Sequence, residues 1–125
     1  MDGYNWGRNS VNPQPWSSFS RLFDSVYGQL TGQIAPGKPV MVAEFASSSA
    51  GGSKARWIRD MFAALPRRFP AIRALIWFDS FDRGLDWPLE SSAPARKAFA
   101  RGIGSQLYAG NRFAELLPGP ILPLG

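Results

Sequence analysis

Two short apolar runs, each leading to an acidic residue, constrain the fold of this chain most. The first covers positions 40–45 and contains Glu44, and the second covers 72–78 and leads to Asp79. Both runs are apolar on their two alternating faces, which predicts strands of a buried parallel sheet. The two acids are 35 residues apart (79 − 44). A (β/α)8 barrel has roughly 31 residues per unit, so the spacing fits a barrel, but a doubly wound sheet also fits it.

Three amphipathic segments alternate with these runs. Apolar side chains recur every three or four residues within 16–30, 57–65 and 95–107, which predicts a helix in each segment. Serines that can cap these helices stand before them: Ser17 or Ser18, Ser53 and Ser92. Pro66 is predicted to end the second helix. The aromatic residues of the stripes are predicted to lie in the core: Trp16, Phe19, Phe23, Trp57, Phe62 and Phe99.

The order of these elements predicts an α/β domain. Positions 2–7 read as the end of an earlier strand, so the chain runs strand end, helix, strand, helix, strand, helix over residues 1–108. Residues 109–125 contain three prolines and are predicted to form an extended or disordered tail. No glycine-rich phosphate fingerprint follows either apolar run, which disfavours dinucleotide binding.

The composition excludes several kinds of chemistry. The chain has no cysteine and no histidine, so it contains no disulfide, no thiolate or imidazole metal ligand and no Ser–His nucleophile system. We therefore predict no metal and no cofactor, and proton transfer must use carboxylates, Tyr, Lys or Arg. Five tryptophans contribute to an aromatic fraction of 14%, and indole rings stack well on the apolar faces of sugars.

The net charge of +5 comes from basic residues that are scattered along the chain, with no run longer than two. This distribution is typical of solvated helix faces, and it predicts no nucleic-acid partner, since such binding needs arginines clustered on one face among aromatic residues. No apolar segment approaches the ~20 residues that cross a bilayer, so no membrane partner is predicted.

Glu44 and Tyr4 are the first candidate site residues. The active site of a barrel lies at the carboxyl ends of its strands. The sequence predicts Glu44 at such an end, followed by the small residues of 46–52, which have no bulk to cover it. The alternative is a strand-end glutamate paired with an arginine. Tyr4 is placed to orient a carboxylate through its hydroxyl, or to fill the core.

Three further candidates lie in and after the second run. Trp77 is predicted either to stack against a sugar or to fill the core, because alternation does not settle which face it takes. Asp79 is a candidate second carboxylate, a loop cap or a partner of Arg83. Trp87 lies in the loop Asp86-Trp87-Pro88-Leu89-Glu90, whose composition indicates a structured loop, and is a candidate sugar contact.

These segments, in this order, resemble glycoside hydrolase family 26, the family of β-mannanases and related endo-glycanases. The resemblance covers about 105 residues and rests on DGYNWG at 2–7, WSSFSRLFDSVYGQL at 16–30, KPVMVAEFASSSAGGSKARWIRDM at 38–61 and IRALIWFDSFDRGLDWPLESS at 72–92. It implies the C-terminal portion of a (β/α)8 barrel, from about the end of strand six to strand eight. It also implies hydrolysis of β-1,4-linked polysaccharide by a retaining double displacement, in a secreted or periplasmic enzyme.

The resemblance also implies a role for individual residues. Glu44 corresponds to the nucleophile, Tyr4 to a tyrosine that hydrogen-bonds the nucleophile, and Trp77 to an aromatic residue lining the subsite of the scissile sugar. Asp2, Asn5 and Trp6 belong to the strand-six motif of the same site. Asn5 and Trp6 are candidate substrate contacts, together with Asp79 and Trp87.

The family's acid/base is a glutamate that follows a histidine on strand four, and neither is present in this chain. One carboxylate cannot both attack the anomeric carbon and protonate the leaving oxygen. We therefore expect the isolated chain to be inactive, and we expect its sheet to be completed by the missing N-terminal barrel half or by a partner chain. A second hypothesis is a non-catalytic carbohydrate-binding remnant that uses Trp6, Trp77 and Trp87.

Overall fold

A computed structural model describes residues 1–10 and 14–105. Its strands are β1 (Asp2–Asn5), β2 (Val40–Ser47) and β3 (Ile72–Trp77), and its α-helices are α1 (Phe19–Gln29), α2 (Lys54–Arg68) and α3 (Ala93–Ile103). A π-helical turn, Leu30–Ile34, extends α1, and a short 3-10 helix, Leu89–Ser91, precedes α3. The predicted alternation of strands and helices is thus confirmed, whereas the predicted tail at 109–125 lies outside the described residues.

The three strands form one parallel sheet in the order β1-β2-β3. Asp2 pairs with Glu44 and Tyr4 pairs with Ala46, so β1 lies beside the second half of β2. Phe45 pairs with Trp77 across the other side of β2. The pairing of β2 with β3 is irregular between Val42 and Phe45.

All three helices pack on one face of the sheet, which we call the helix face. Its core joins Phe19 and Phe23 of α1 and Trp57 of α2 to Val42 and Phe45 of β2, and it extends to two alanines of α3. These five residues are at most 3% exposed. The aromatic residues predicted to lie in the core do so, with Trp16, Phe62 and Phe99 partly buried at its margin. Burial of this apolar surface is the main force that holds the helices on the sheet.

The opposite side of the sheet, which we call the open face, has no helix on it among the described residues. Met41 of β2 and Ile76 of β3 are 44% and 49% exposed on this face. Met41 pairs with Ala74, whose side chain is also exposed. The part of the open face formed by Met41, Ala74 and Ile76 is therefore apolar, and no described residue covers it.

The helix caps agree with the sequence, but the end of α2 does not. Ser18, Ser53 and Ser92 each accept a hydrogen bond from a backbone N–H of the first helical turn. The prediction that Pro66 ends α2 is wrong, because the helix continues to Arg68. Leu65, immediately before the proline, is buried, and its carbonyl still accepts a bond from the N–H of Phe69 at 3.1 Å, so packing retains the last turn.

The extent of β2 also corrects a prediction. Glu44 was expected at the end of the strand, but β2 runs three residues further, to Ser47. Ala46 and Ser47 remain in the strand because they pair with Tyr4 and Asn5. Glu44 is therefore an interior strand residue whose direction is set by the sheet.

Candidate functional site

Glu44 lies on the open face of the sheet. Its neighbour Phe45 points into the helix face, and side chains of consecutive strand residues point to opposite sides. The Glu44 side chain is partly buried, and it forms no hydrogen bond or ion pair with another described residue. The described part of the chain therefore does not contain the alternative arrangement, in which an arginine neutralises the glutamate. The Glu44 carboxylate is free to contact a ligand.

Tyr4 shares this face with Glu44. It pairs with Ala46, two residues beyond Glu44. Strand spacing of about 4.8 Å and a rise of about 3.3 Å per residue place the two Cα atoms roughly 8 Å apart on a diagonal. No hydrogen bond joins the phenol to Glu44 among the described residues. The predicted neighbourhood is present, and the orienting role of Tyr4 remains a prediction.

Asp2 is the carboxylate that lies nearest to Glu44 by register. The two residues are direct partners in adjacent parallel strands and point to the same side of the sheet. Asp2 is exposed. The sequence assigned no role to this pair because strand register is set by the tertiary structure, and DGYNWG alone does not reveal which residue of β2 it faces.

A small cluster of rings covers the upper end of the open face. The buried residues Ala46, Leu85 and Trp87 form its centre, and we call it the upper cluster. Tyr4 packs against it with its ring 5.3 Å from that of Trp87, and Trp6 lies 5.1 Å from Trp87 in an edge-on contact. The cluster therefore forms a wall beside Tyr4 and Glu44.

Of the three predicted tryptophan contacts, Trp87 is fully covered and Trp77 is partly covered. Trp87 is 1% exposed, so neither face of its indole is open to a sugar. Trp77 packs on the helix face, 5.1 Å from Phe45 and 5.7 Å from Phe99, and its Nε1–H donates to the carbonyl of Trp87 at 3.0 Å. The structure thus packs Trp77 on the core of the helix face, with a further contact to the upper cluster. The physical reason is its pairing with Phe45, which faces the helices.

Trp6 remains partly exposed, with the guanidinium carbon of Arg83 5.5 Å from its ring centroid. Asn5, also predicted to bind substrate, is 1% exposed. Its amide donates to the Ser47 hydroxyl at 2.9 Å and accepts from the N–H of Ser17 at 2.9 Å. Asn5 therefore joins β1 to β2 and to the start of α1, which is a structural role.

Asp79 is exposed and accepts a hydrogen bond from the N–H of Leu89 at 2.7 Å. Of the readings open to it, the loop cap is the contact that the structure contains. Arg83 instead lies 3.4 Å from Asp82. Since Phe45 is level with Trp77, Asp79 lies further along the sheet than Glu44.

The sequence patterns did not predict a role for Lys54, the first residue of α2, which is 2% exposed. Its ammonium is surrounded by oxygens of the loop that follows β3. It donates to the carbonyl of Asp86, lies 3.2 Å from the carbonyl of Pro88 and 2.9 Å from the hydroxyl of Ser91, and is 3.4 Å from the Asp86 carboxylate. Buried ammonium groups require this kind of compensation by oxygen ligands.

Asp86 connects this loop to the loop that follows β2. Its carboxylate accepts from the N–H of Ser49 at 2.9 Å and from the hydroxyl of Ser48 at 3.1 Å. Burial acts to raise the pKa of Asp86, but the bonds from Ser49 and Ser48 and the charge of Lys54 outweigh it and hold the pKa below its ordinary value. Burial lowers the pKa of Lys54, and attraction to Asp86 offsets part of that effect.

Lys54 and Asp86 therefore tie the loop after β2 to the loop after β3 and fix Trp87 within the upper cluster. One sequence signal for this contact existed. A lysine at the first position of a helix is unfavourable for the helix dipole, which favours anions there, so Lys54 needed another reason for its position.

The described residues contain no group of three or more His, Cys, Asp or Glu side chains able to hold a metal ion. Within the same ranges, no helix is long and apolar enough to cross a membrane. The arrangement around Glu44 is thus a carboxylate with a neighbouring acid, a phenol and an aromatic wall.

Comparison with known proteins finds a relative among the endoglucanases. No protein-family profile matches the chain. Endoglucanase H of Acetivibrio thermocellus is 35% identical to it over 105 residues, which cover 84% of this chain and 11% of that protein. The chain therefore spans about a tenth of the length of this curated relative.

Proposed function

We propose that the chain is part of a glycoside hydrolase that cleaves β-1,4-linked polysaccharide by a retaining double displacement, with Glu44 as the nucleophile. The observation that carries the proposal is the position of the Glu44 carboxylate on the open face of a parallel sheet, unpaired among the described residues and next to Tyr4 and the upper cluster. Similarity to an endoglucanase over 105 residues supports the same class of enzyme.

We further propose that the sheet is the C-terminal part of a (β/α)8 barrel, from the end of strand six to strand eight. Two observations support this. The strands follow one another in the order β1-β2-β3, and all three helices lie on one face. In a closed (β/α)8 barrel, consecutive strands are neighbours in the same way, all helices lie outside the sheet, and the opposite face of the sheet forms the interior. The exposed apolar side chains of Met41 and Ile76 suit the interior of such a barrel.

In the proposed reaction, one Glu44 carboxylate oxygen attacks the anomeric carbon and the bond to the leaving oxygen breaks. A second carboxylic group protonates that oxygen and then takes a proton from the water that releases the sugar from Glu44. We propose that Tyr4 orients the Glu44 carboxylate. The acid/base is supplied by the strands that complete the barrel, and Asp2, adjacent to Glu44, adds negative charge beside the developing oxocarbenium ion.

The proposal predicts that the chain alone has no hydrolytic activity, and that the longer polypeptide with a full barrel hydrolyses a β-1,4-glucan or β-1,4-mannan. The test incubates both proteins with oligosaccharides labelled at the reducing end. NMR then follows the anomeric configuration of the first product. Retained configuration from the longer polypeptide supports the proposal. Inverted product, or no hydrolysis of any β-linked polysaccharide, contradicts it.

The non-catalytic sugar-binding remnant receives less support. Its three tryptophans were Trp6, Trp77 and Trp87, but Trp87 is 1% exposed and Trp77 packs among rings of the helix face. Trp6 and Trp77 are each partly buried, so neither indole is fully open. Two partly covered indoles and one buried indole are a poor platform for a polysaccharide, whereas the open carboxylate of Glu44 has no function in that hypothesis.

A further inference from the structure

A second surface feature lies on the far side of the molecule from Glu44, between α2 and α3. It is a groove of about 440 Å³ lined by Arg59 and Phe62 of α2 and by five residues of α3: Pro94, Lys97, Ala98, Arg101 and Gly102. We call it the basic groove. Three of its seven lining residues are cationic and none is acidic.

The cations of the basic groove are not neutralised within the described part of the chain. The ion pair nearest to the groove in the sequence joins Asp60 to Arg56, which lies about one helical turn from Arg59. Arg59, Lys97 and Arg101 are all exposed and form no ion pair with a described residue. Lys97 and Arg101 are four residues apart on α3 and so lie on the same side of that helix, about 6 Å apart along its axis.

The floor of the groove is apolar and tightly packed. The ring of Phe62 lies 5.6 Å from that of Phe99. It also lies directly against the backbone of α3, since a Cβ at Gly102 would come within 2.0 Å of the Phe62 ring. No broad aromatic face is thus open in the groove. Sugars and single-stranded nucleic acids bind by stacking on open rings, so the groove is poorly suited to both.

We propose that the basic groove binds an acidic peptide segment of a partner protein, with an apolar side chain on the floor and carboxylates against Arg59, Lys97 and Arg101. Charge complementarity supports this occupant, because three cations around a short groove repel one another until anions enter. An extended peptide of four or five residues spans about 16 Å, which is the length of an eleven-residue helix such as α3. The proposal does not depend on the activity assigned to Glu44.

The test measures binding of a peptide labelled with fluorescein at its N-terminus, fluorescein-Glu-Asp-Leu-Glu-Asp-amide, to the chain by fluorescence anisotropy. We expect the dissociation constant to rise at least tenfold in the double variant Arg59→Gln/Arg101→Gln and to rise with salt. The control Arg8→Gln/Arg21→Gln removes the same charge from exposed sites outside the groove and is expected to change affinity less than twofold.

Three results would overturn the proposal. The first is no binding of the peptide at low salt. The second is an equal loss in both double variants, which would show only a response to net charge. The third is tighter binding of a single-stranded or duplex oligonucleotide of the same charge than of the peptide, which would assign the groove to nucleic acid.

Discussion

Replacing Lys54 with methionine tests whether the contact between the two loops fixes the wall of the candidate site. Methionine keeps the unbranched apolar stem but removes the ammonium. The change deprives the carbonyl of Pro88 and the hydroxyl of Ser91 of a donor, and it removes the cation 3.4 Å from the Asp86 carboxylate. The Lys54 side chain is 1% exposed, so water does not replace these bonds without opening the loop.

The expected loss follows from these contacts. An ammonium has three donors, and a hydrogen bond to a charged group contributes about 1.5–3 kcal/mol. Removing the ammonium also recovers the several kcal/mol that its burial costs. Breaking a buried pair by removing one partner costs about 3–5 kcal/mol. Asp86 is 36% exposed and keeps its bonds from Ser48 and Ser49, so we expect the lower end, about 3 kcal/mol.

Urea unfolding monitored by tryptophan fluorescence measures this loss, with Lys38→Met as a matched control at an exposed site. Hydrogen exchange gives a local measurement. The Trp77 indole N–H donates to the loop carbonyl of Trp87, whereas the Trp57 indole N–H donates to Ser17 away from the loop. We expect faster exchange at Trp77 than at Trp57 in the variant. Equal stability of the Lys54 and Lys38 variants, with unchanged Trp77 exchange, would refute the reasoning.

Two further predictions concern packing and acid stability. Gly3→Ala places a Cβ 2.7 Å from the buried ring of Phe23, so calorimetry should show that the free energy of unfolding falls by about 1–3 kcal/mol. In Gly28→Ala, in α1, the new Cβ meets no atom within 4 Å, so the free energy of unfolding should rise by up to about 1 kcal/mol. A more stable Gly3→Ala variant than Gly28→Ala variant would contradict the packing. Because the folded pKa of Asp86 lies below its unfolded value of about 3.9, its stabilisation is complete above that pH and is lost as the pH falls through the folded pKa. Asp86→Asn should therefore flatten the loss of stability below about pH 4, and an unchanged acid profile measured by circular dichroism would count against this assignment.

Much of the fold followed from local signals in the sequence. The stripes around Phe23 and Trp57 predicted two helices, and serines such as Ser53 marked where helices begin, since capping and burial depend on near neighbours. The end of α2 was misplaced because burial of Leu65 and Phe69 outweighed the local effect of Pro66. Local rules do not contain that packing.

The candidate site was harder to predict, because faces and registers are tertiary properties. The carboxylate of Glu44 and the phenol of Tyr4 do share one face. The sequence left the face of Trp77 open, and pairing with Phe45 turned it toward the helices. The pairing of Asp2 with Glu44 was not predicted for the same reason, and Lys54 was not predicted because its partner Asp86 is 32 residues away in the chain (86 − 54).

The central claim is that Glu44 forms a covalent bond to the sugar. The most direct measurement treats the longer, full-barrel polypeptide with an activated 2-deoxy-2-fluoro β-glycoside and maps the labelled peptide by mass spectrometry, with Glu44→Gln and the exposed-site variant Glu90→Gln in parallel. The proposed mechanism predicts one sugar attached at Glu44, no label in Glu44→Gln and normal label in Glu90→Gln. A sugar attached to another residue, or an active enzyme that retains full activity as Glu44→Gln, would contradict it.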